Sequence, residues 1–118
     1  MQKQDRPGRF SVRPEVVDGI VVVTVHGEID HDVKDVLGQA LTPQDDTTPP
    51  RLVADLSGVT FMDSSGINVF VAAHLRASRA QGWLRIAGAQ ESVVRLLQMV
   101  GVDTVIPCHP TVEHALAA

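Results

Sequence analysis

Leu52-Val53-Ala54-Asp55-Leu56, followed a few residues later by Met62-Asp63-Ser64-Ser65-Gly66, is the stretch that decides the fold. The first segment is a short apolar run bounded by Pro49-Pro50 and by Ser57-Gly58, the pattern of a buried strand. After the second segment Ile67, Phe70, Val71 and Leu75 recur at helical spacing, Asn68, Arg76 and Arg79 fall mostly off that stripe, and Gly82 is a suitable stop. Two hydroxyls are therefore expected where a strand hands over to a helix. The first N–H groups of a helix lack internal acceptors and carry the positive end of its dipole, so such a junction welcomes an anion. Asp63 or Ser64 can act as the N-cap, and Gly66 leaves room for something to approach the backbone closely. The same residues also make an ordinary capped turn, because Asp, Ser and Gly are what any strand-to-helix turn prefers.

Toward the N-terminus, Thr42 to Pro50 reads as a polar, Pro-rich loop, preceded by a helix from about Val33 to Leu41 with Asp30 or Asp32 as its cap. Phe10 to Val17 and Ile20 to Gly27 are rich in Val and Ile, and Asp18-Gly19 between them is a two-residue hairpin signal. In the second of these strands Val21, Val23 and Val25 share one face, and Val22, Thr24 and His26 the other. Residues 1–8 are polar and predict a flexible tail ahead of a single domain at 9–118. Toward the C-terminus, Trp83 to Ala87 predicts a strand with Leu84 and Ile86 on one side. Glu91 to Val100 predicts a helix with Val93, Val94, Leu96, Leu97 and Val100 inward and Gly101 as its stop. Thr104 to Ile106 predicts a short edge strand, and Thr111 to Ala117 a last helix.

A hairpin followed by repeated helix and strand units is an α/β pattern: a mixed sheet of four to five strands, the N-terminal pair antiparallel and the remainder parallel, with about four helices. Strands laid down sequentially with right-handed crossovers put every helix on one face. Thr24, His26 and Arg85 fit a sheet with a more polar second side.

Composition narrows the function. The chain has 118 residues, 44% of them hydrophobic, which suits one globular domain. A net charge of −4 and 3% aromatics offer neither a phosphate-tracking face nor base-stacking rings, so no nucleic-acid partner is expected. No apolar run approaches the roughly 20 residues of a membrane span, and the first residues lack the apolar core of a signal peptide. No membrane association and a cytoplasmic location are expected, and the single Cys108 agrees with a reducing compartment.

Known chemistries find little support. The Gly-x-Ser-x-Gly elbow of serine hydrolases is absent. Cys108, His109 and His114 match no zinc spacing, and no glycine pattern forms a phosphate-binding loop, so neither metal nor cofactor is expected. His74 reads as a hydrogen-bonded packing residue, as does His26. His31, beside the Glu28/Asp30 loop, is also a candidate for a binding surface.

Three segments together resemble the STAS domain family, and within it the stand-alone bacterial anti-sigma factor antagonists. They are Val25-His26-Gly27-Glu28-Ile29-Asp30, then Asp55-Leu56-Ser57-Gly58-Val59-Thr60-Phe61-Met62-Asp63-Ser64-Ser65-Gly66-Ile67, and Val94-Arg95-Leu96-Leu97-Gln98-Met99-Val100-Gly101-Val102. The resemblance covers roughly residues 10 to 117 and implies a STAS fold. It also implies partner switching: an anti-sigma factor with a GHKL-type serine kinase domain holds either a sigma factor or the antagonist, and phosphorylates the antagonist in the Asp-Ser-Ser-Gly turn. By position the acceptor would be Ser65, with Ser64 its neighbour, Asp63 the capping acid and Asp30 a loop acid that supports docking of the kinase. His31, Gly66 and Asn68 would complete the partner-binding surface, and a serine phosphatase would reverse the modification. Asn68, where the family often has a small residue, and the Pro-rich loop are departures that would tune partner choice. The domain would be a phosphoacceptor and binding module, not an enzyme. The other reading within the family is a STAS regulatory subunit of a lipid-transport ATPase complex.

Overall fold

Asp18 and Gly19 both have positive φ, 52° and 79°. This backbone matches the twist of two antiparallel strands joined by a two-residue turn. The computed structural model, which describes residues 10–43 and 48–118, accordingly pairs β1 (Phe10–Val17) with β2 (Ile20–Ile29), Val17 opposite Ile20 and Phe10 opposite Gly27. The tail expected at 1–8 and the middle of the Pro-rich loop lie outside the described residues.

From β2 the chain passes through a 3₁₀ turn (His31–Val33) into α1 (Lys34–Ala40), then β3 (Arg51–Met62), α2 (Ser64–Arg79), β4 (Trp83–Ala87), α3 (Glu91–Met99), a second 3₁₀ turn (Val102–Thr104), β5 (Cys108–His109) and α4 (Val112–Ala117). The five strands lie in sequential order, β1-β2 antiparallel and every later pair parallel. The sheet is mixed as its sequence predicts. Its main core places Val23, Val25, Leu52, Ala54, Leu56, Leu84 and Ile86 against Leu37 of α1, Phe70 of α2 and Leu97 of α3.

Several expectations are corrected. The strand expected at Leu52–Leu56 runs on to Met62: Ser57-Gly58 reads as a stop, but the strand absorbs it as an irregularity in its pairing with β2. There the Asp55 carboxylate accepts from the Ser57 N–H (3.0 Å) and hydroxyl (2.8 Å), a local turn inside a continuing strand. No strand forms at Thr104–Ile106. The segment is instead drawn into a 3₁₀ turn because Ile106 is needed in the core, and β5 starts only after Pro107. The helices do not all share a face. Those between parallel strands share the main core, whereas α4 follows the last strand and packs Ala115 against Val22, Val53 and Ala87 on the other side.

Side-chain assignments shift as well. Leu75 (45%) and Val100 (52%) are exposed; α2 buries Ile67, Phe70, Ala73 and Ala77, a stripe whose alanines let the helix lie close to the sheet. The left-handed residue ending α2 is Gln81 (φ 67°), not Gly82. Gly101 does take the left-handed conformation (φ 79°) after α3.

Candidate functional site

The C-terminal ends of β2 and β3 are in register, Ile29 beside Met62. The next residue on each strand is an aspartate, so Asp30 and Asp63 emerge as neighbours at one end of the sheet, and the Asp63 N–H donates to the Ile29 carbonyl (3.2 Å), tying the two strand ends together. Each aspartate then does the same work. Asp63 has extended backbone, and its Oδ1 accepts from the Ser65 N–H at 2.8 Å, making it the N-cap of α2. Asp30 is likewise extended, and its Oδ1 accepts from the Asp32 N–H at 3.0 Å, capping the 3₁₀ turn. Asp63 is thereby the cap of α2, and Ser64 is its exposed first residue.

Gly66 is turned toward the core. It is buried, and a Cβ built on it would lie 2.5 Å from Met62 Cγ and 2.9 Å from Ile29 Cγ2. The close approach that glycine permits here is inward: the first turn of α2 sits directly on the two strand ends, which fixes where Ser65 stands.

Ser65, half-buried, lies at the lip of an open groove of about 750 Å³ between α1 and α2. His31 and Asn68 line the same groove, with Lys34, Gln39 and Thr42 from the α1 side and Arg76 from α2. At its far end Arg76 Nη2 donates to Thr42 Oγ1 (3.2 Å), and the Thr42 hydroxyl donates to the Gly38 carbonyl (2.7 Å). The groove therefore has donors and acceptors along its length and apolar strips from Val69 and Ala72.

This arrangement, a mixed sheet with a capped Asp-Ser-Ser-Gly turn at the end of its second parallel strand, agrees with a family model. The description "STAS domain" matches residues 11–115. The chain belongs to the STAS domain family. This STAS domain is 31% identical over 105 residues to the anti-sigma-F factor antagonist RsfA of Mycobacterium tuberculosis, covering 86% of this chain and 80% of that one. It is 28% identical to the anti-sigma F factor antagonist of Paenibacillus polymyxa, over 83% of this chain and 85% of its relative. Among solved structures, an anti-sigma factor antagonist from Mycobacterium paratuberculosis superposes with a TM-score of 0.83 at 31% identity, 95% of each chain being covered.

The STAS fold thus brings together Asp30, His31, Asp63, Ser64, Ser65 and Asn68 at one end of the sheet and turns Gly66 inward. Sequence reading missed the α1 wall of the groove and its link to Arg76, which the helical spacing showed only as lying off the buried stripe. Thr42 and Arg76 are 34 positions apart, and no local pattern announces their contact. Among the described residues no group of three or more His, Cys, Asp or Glu is arranged to hold a metal ion. Cys108 has its thiol pushed up in pKa, first by partial burial and then by the Asp103 carboxylate. His74 is half-buried as a packing residue, but its buried Nδ1 lacks the hydrogen bond expected of it among the described residues. No helix among the described residues is long and apolar enough to cross a membrane.

Proposed function

We propose that this protein is an anti-sigma factor antagonist that works by partner switching. In its unphosphorylated form it binds an anti-sigma factor carrying a GHKL-type serine kinase domain and so releases a sigma factor. Phosphorylation of Ser65 ends that binding, and a serine phosphatase restores it. The protein is a binding module and phosphate acceptor, and the catalysis belongs to its partners.

The observation that carries this reading is the placement of Ser65 within the first turn of a 16-residue helix, with its N–H held by Asp63 and its side chain at the lip of the groove. A phosphate there adds close to two negative charges where the helix N-terminus favours them, by about 0.3–1 kcal/mol for a single exposed charge, so modification leaves the fold standing. The effect falls on association. Like charge and bulk introduced into a complementary interface cost several kcal/mol, and every 1.4 kcal/mol is tenfold in affinity. Asp30, on the adjacent strand end, is the loop acid that would support docking of the kinase. The names of the relatives support the general role, and Asn68 and the α1 wall are where partner choice would be tuned.

The test is to isolate the protein from its own host and map phosphate by tandem mass spectrometry, recording what co-purifies. Phosphate on Ser65, with an ATPase-domain partner enriched in the unphosphorylated fraction, is the expected result. A protein free of phosphate across growth and stress conditions, and found with a membrane transporter, overturns it in favour of a subunit of a lipid-transport complex.

A further inference from the structure

The groove beside Ser65 is built on a register between two helices. The strand ends Ile29 and Met62 lie side by side on parallel strands, so α1 and α2, which follow them, leave the sheet in the same direction. Farther along, the Thr42 hydroxyl meets Arg76, 34 positions away in the chain. The residues lining the groove keep that offset: Gly38 with Ala72, Lys34 with Asn68, and His31 with Ser65. Helices of equal rise that start level stay level, so His31 stands across the groove from Ser65.

The exposed His31 imidazole makes no hydrogen bond or ion pair among the described residues, and neither does the Ser65 hydroxyl, so the two border one groove without bonding each other. Charge around them is uneven. Asp30 and Asp32 flank His31 in the chain, and Asp63 caps the turn of Ser65. Lys34 lies about a turn along α1, 3.5 Å from the exposed Asp35, and Arg76 is at the far end of the groove. A phosphate on Ser65 therefore enters a mouth with three carboxylates nearby, and only the α2 N-terminus and Lys34 are set against them. Histidine is the side chain that takes up a proton close to neutral pH, so the imidazole is the group that can restore the balance.

We propose that His31 receives the phosphate of phosphorylated Ser65: its imidazolium donates a hydrogen bond to a phosphate oxygen across the groove, and Lys34 supplies a second cation. This rests on the phosphorylation of Ser65 argued above. Imidazolium and phosphate each favour the charged form of the other by the same free energy, so the pair holds a proton that the unmodified groove does not. Phosphorylation then does two things. It adds charge to the surface that a partner reads, and it cross-links the α1 and α2 walls of the groove through the phosphoryl group.

The test installs phosphoserine at position 65 of the full chain during translation, so it needs no kinase. The five histidines are titrated through their ring NMR signals and the phosphate through its phosphorus signal, in the unmodified chain, the phosphorylated chain and phosphorylated H31A and K34A. Phosphorylation is expected to raise the His31 midpoint by about one pH unit and to leave His109 and His114, at the far edge of the sheet, within about 0.2. Reciprocally, the phosphate should lose its second proton about one pH unit lower than in H31A, with K34A in between. A His31 midpoint that does not move overturns the contact, and so does an equal movement of all five histidines. Should H31A fold poorly, the His31 titration of the native sequence decides alone. Mapping phosphate on the protein from its host judges the switch separately. Host phosphate on Ser65 with an unmoved His31 keeps the switch and overturns the contact. A coupled His31 in a chain that the host never phosphorylates overturns the switch and retains the contact as a property of the groove.

Discussion

Asp30 and Asp63 end neighbouring parallel strands, each caps the turn that follows, and each takes the N–H of the residue two places on. At that position the junctions part: after Asp30 it is Asp32, which always carries a carboxylate, and after Asp63 it is Ser65, which carries a hydroxyl. At the following position Val33 is buried as a core side chain, whereas Gly66 is buried with none. Behind Asp30 stands a three-residue 3₁₀ turn, and α1 proper starts at a Val33 cap with no side-chain hydrogen bond. Behind Asp63 stands the 16-residue α2. The same capping device thus serves one junction that carries an acid and another that carries a hydroxyl, whose charge would be set by modification under the function proposed above. Phosphorylated Ser65 would resemble, in sign, what Asp32 is permanently.

The largest effect that would test this contrast is on association. S65D should lose partner affinity by about 100-fold or more while S65A keeps it, measured by titration calorimetry. The same S65D chain should melt no lower than wild type, since an acid in the first turn of a helix is favourable. A variant that bound weakly because it was unfolded would break the comparison.

Next is G66V, expected to destabilise by about 1–3 kcal/mol in urea unfolding, because its side chain must displace Met62 and Ile29 from a packed site. At the equivalent position of the other junction a valine, Val33, is the native residue, so a neutral G66V would remove the packing distinction. Third, D63A should cost about 1 kcal/mol as a lost cap, and D63N much less, because Asn caps as well as Asp. D30A should cost less than D63A, its cap serving a single 3₁₀ turn; the reverse order in denaturant midpoints would show that the Asp30 turn carries more of the structure than its length suggests. The smallest effect is S64A, on an exposed side chain, expected within about 0.5 kcal/mol in stability. Phosphate mapped by tandem mass spectrometry should persist in S64A and be lost in S65A, separating the two adjacent hydroxyls.

Where the signal is local, the sequence is enough. Asp18-Gly19 specifies a tight turn by its backbone preferences, the alternation in Val21 to Val25 specifies which face of β2 is core, and Asp63-Ser64-Ser65 specifies a capped helix start, because each depends on contacts within a few residues. The same holds for the mixed sheet with its antiparallel N-terminal pair, which follows from the order of elements, whereas the fifth strand, expected at Thr104–Ile106, was placed at Cys108–His109 only by the structure. Long-range packing decided the rest. Ser57-Gly58 looks like a strand end and is a bulge, since only pairing with β2 shows that β3 continues. Ile106 looks like a strand residue and is pulled into a turn by the core it fills. Leu75 and Val100 carry the right spacing for burial and are left out, because helix rotation against a sheet is set by all contacts at once. The side of the sheet taken by α4, the inward use of Gly66 and the groove joining Thr42 to Arg76 were likewise decided only by tertiary structure: each depends on residues brought together from distant parts of the chain, and no window of the sequence contains both partners.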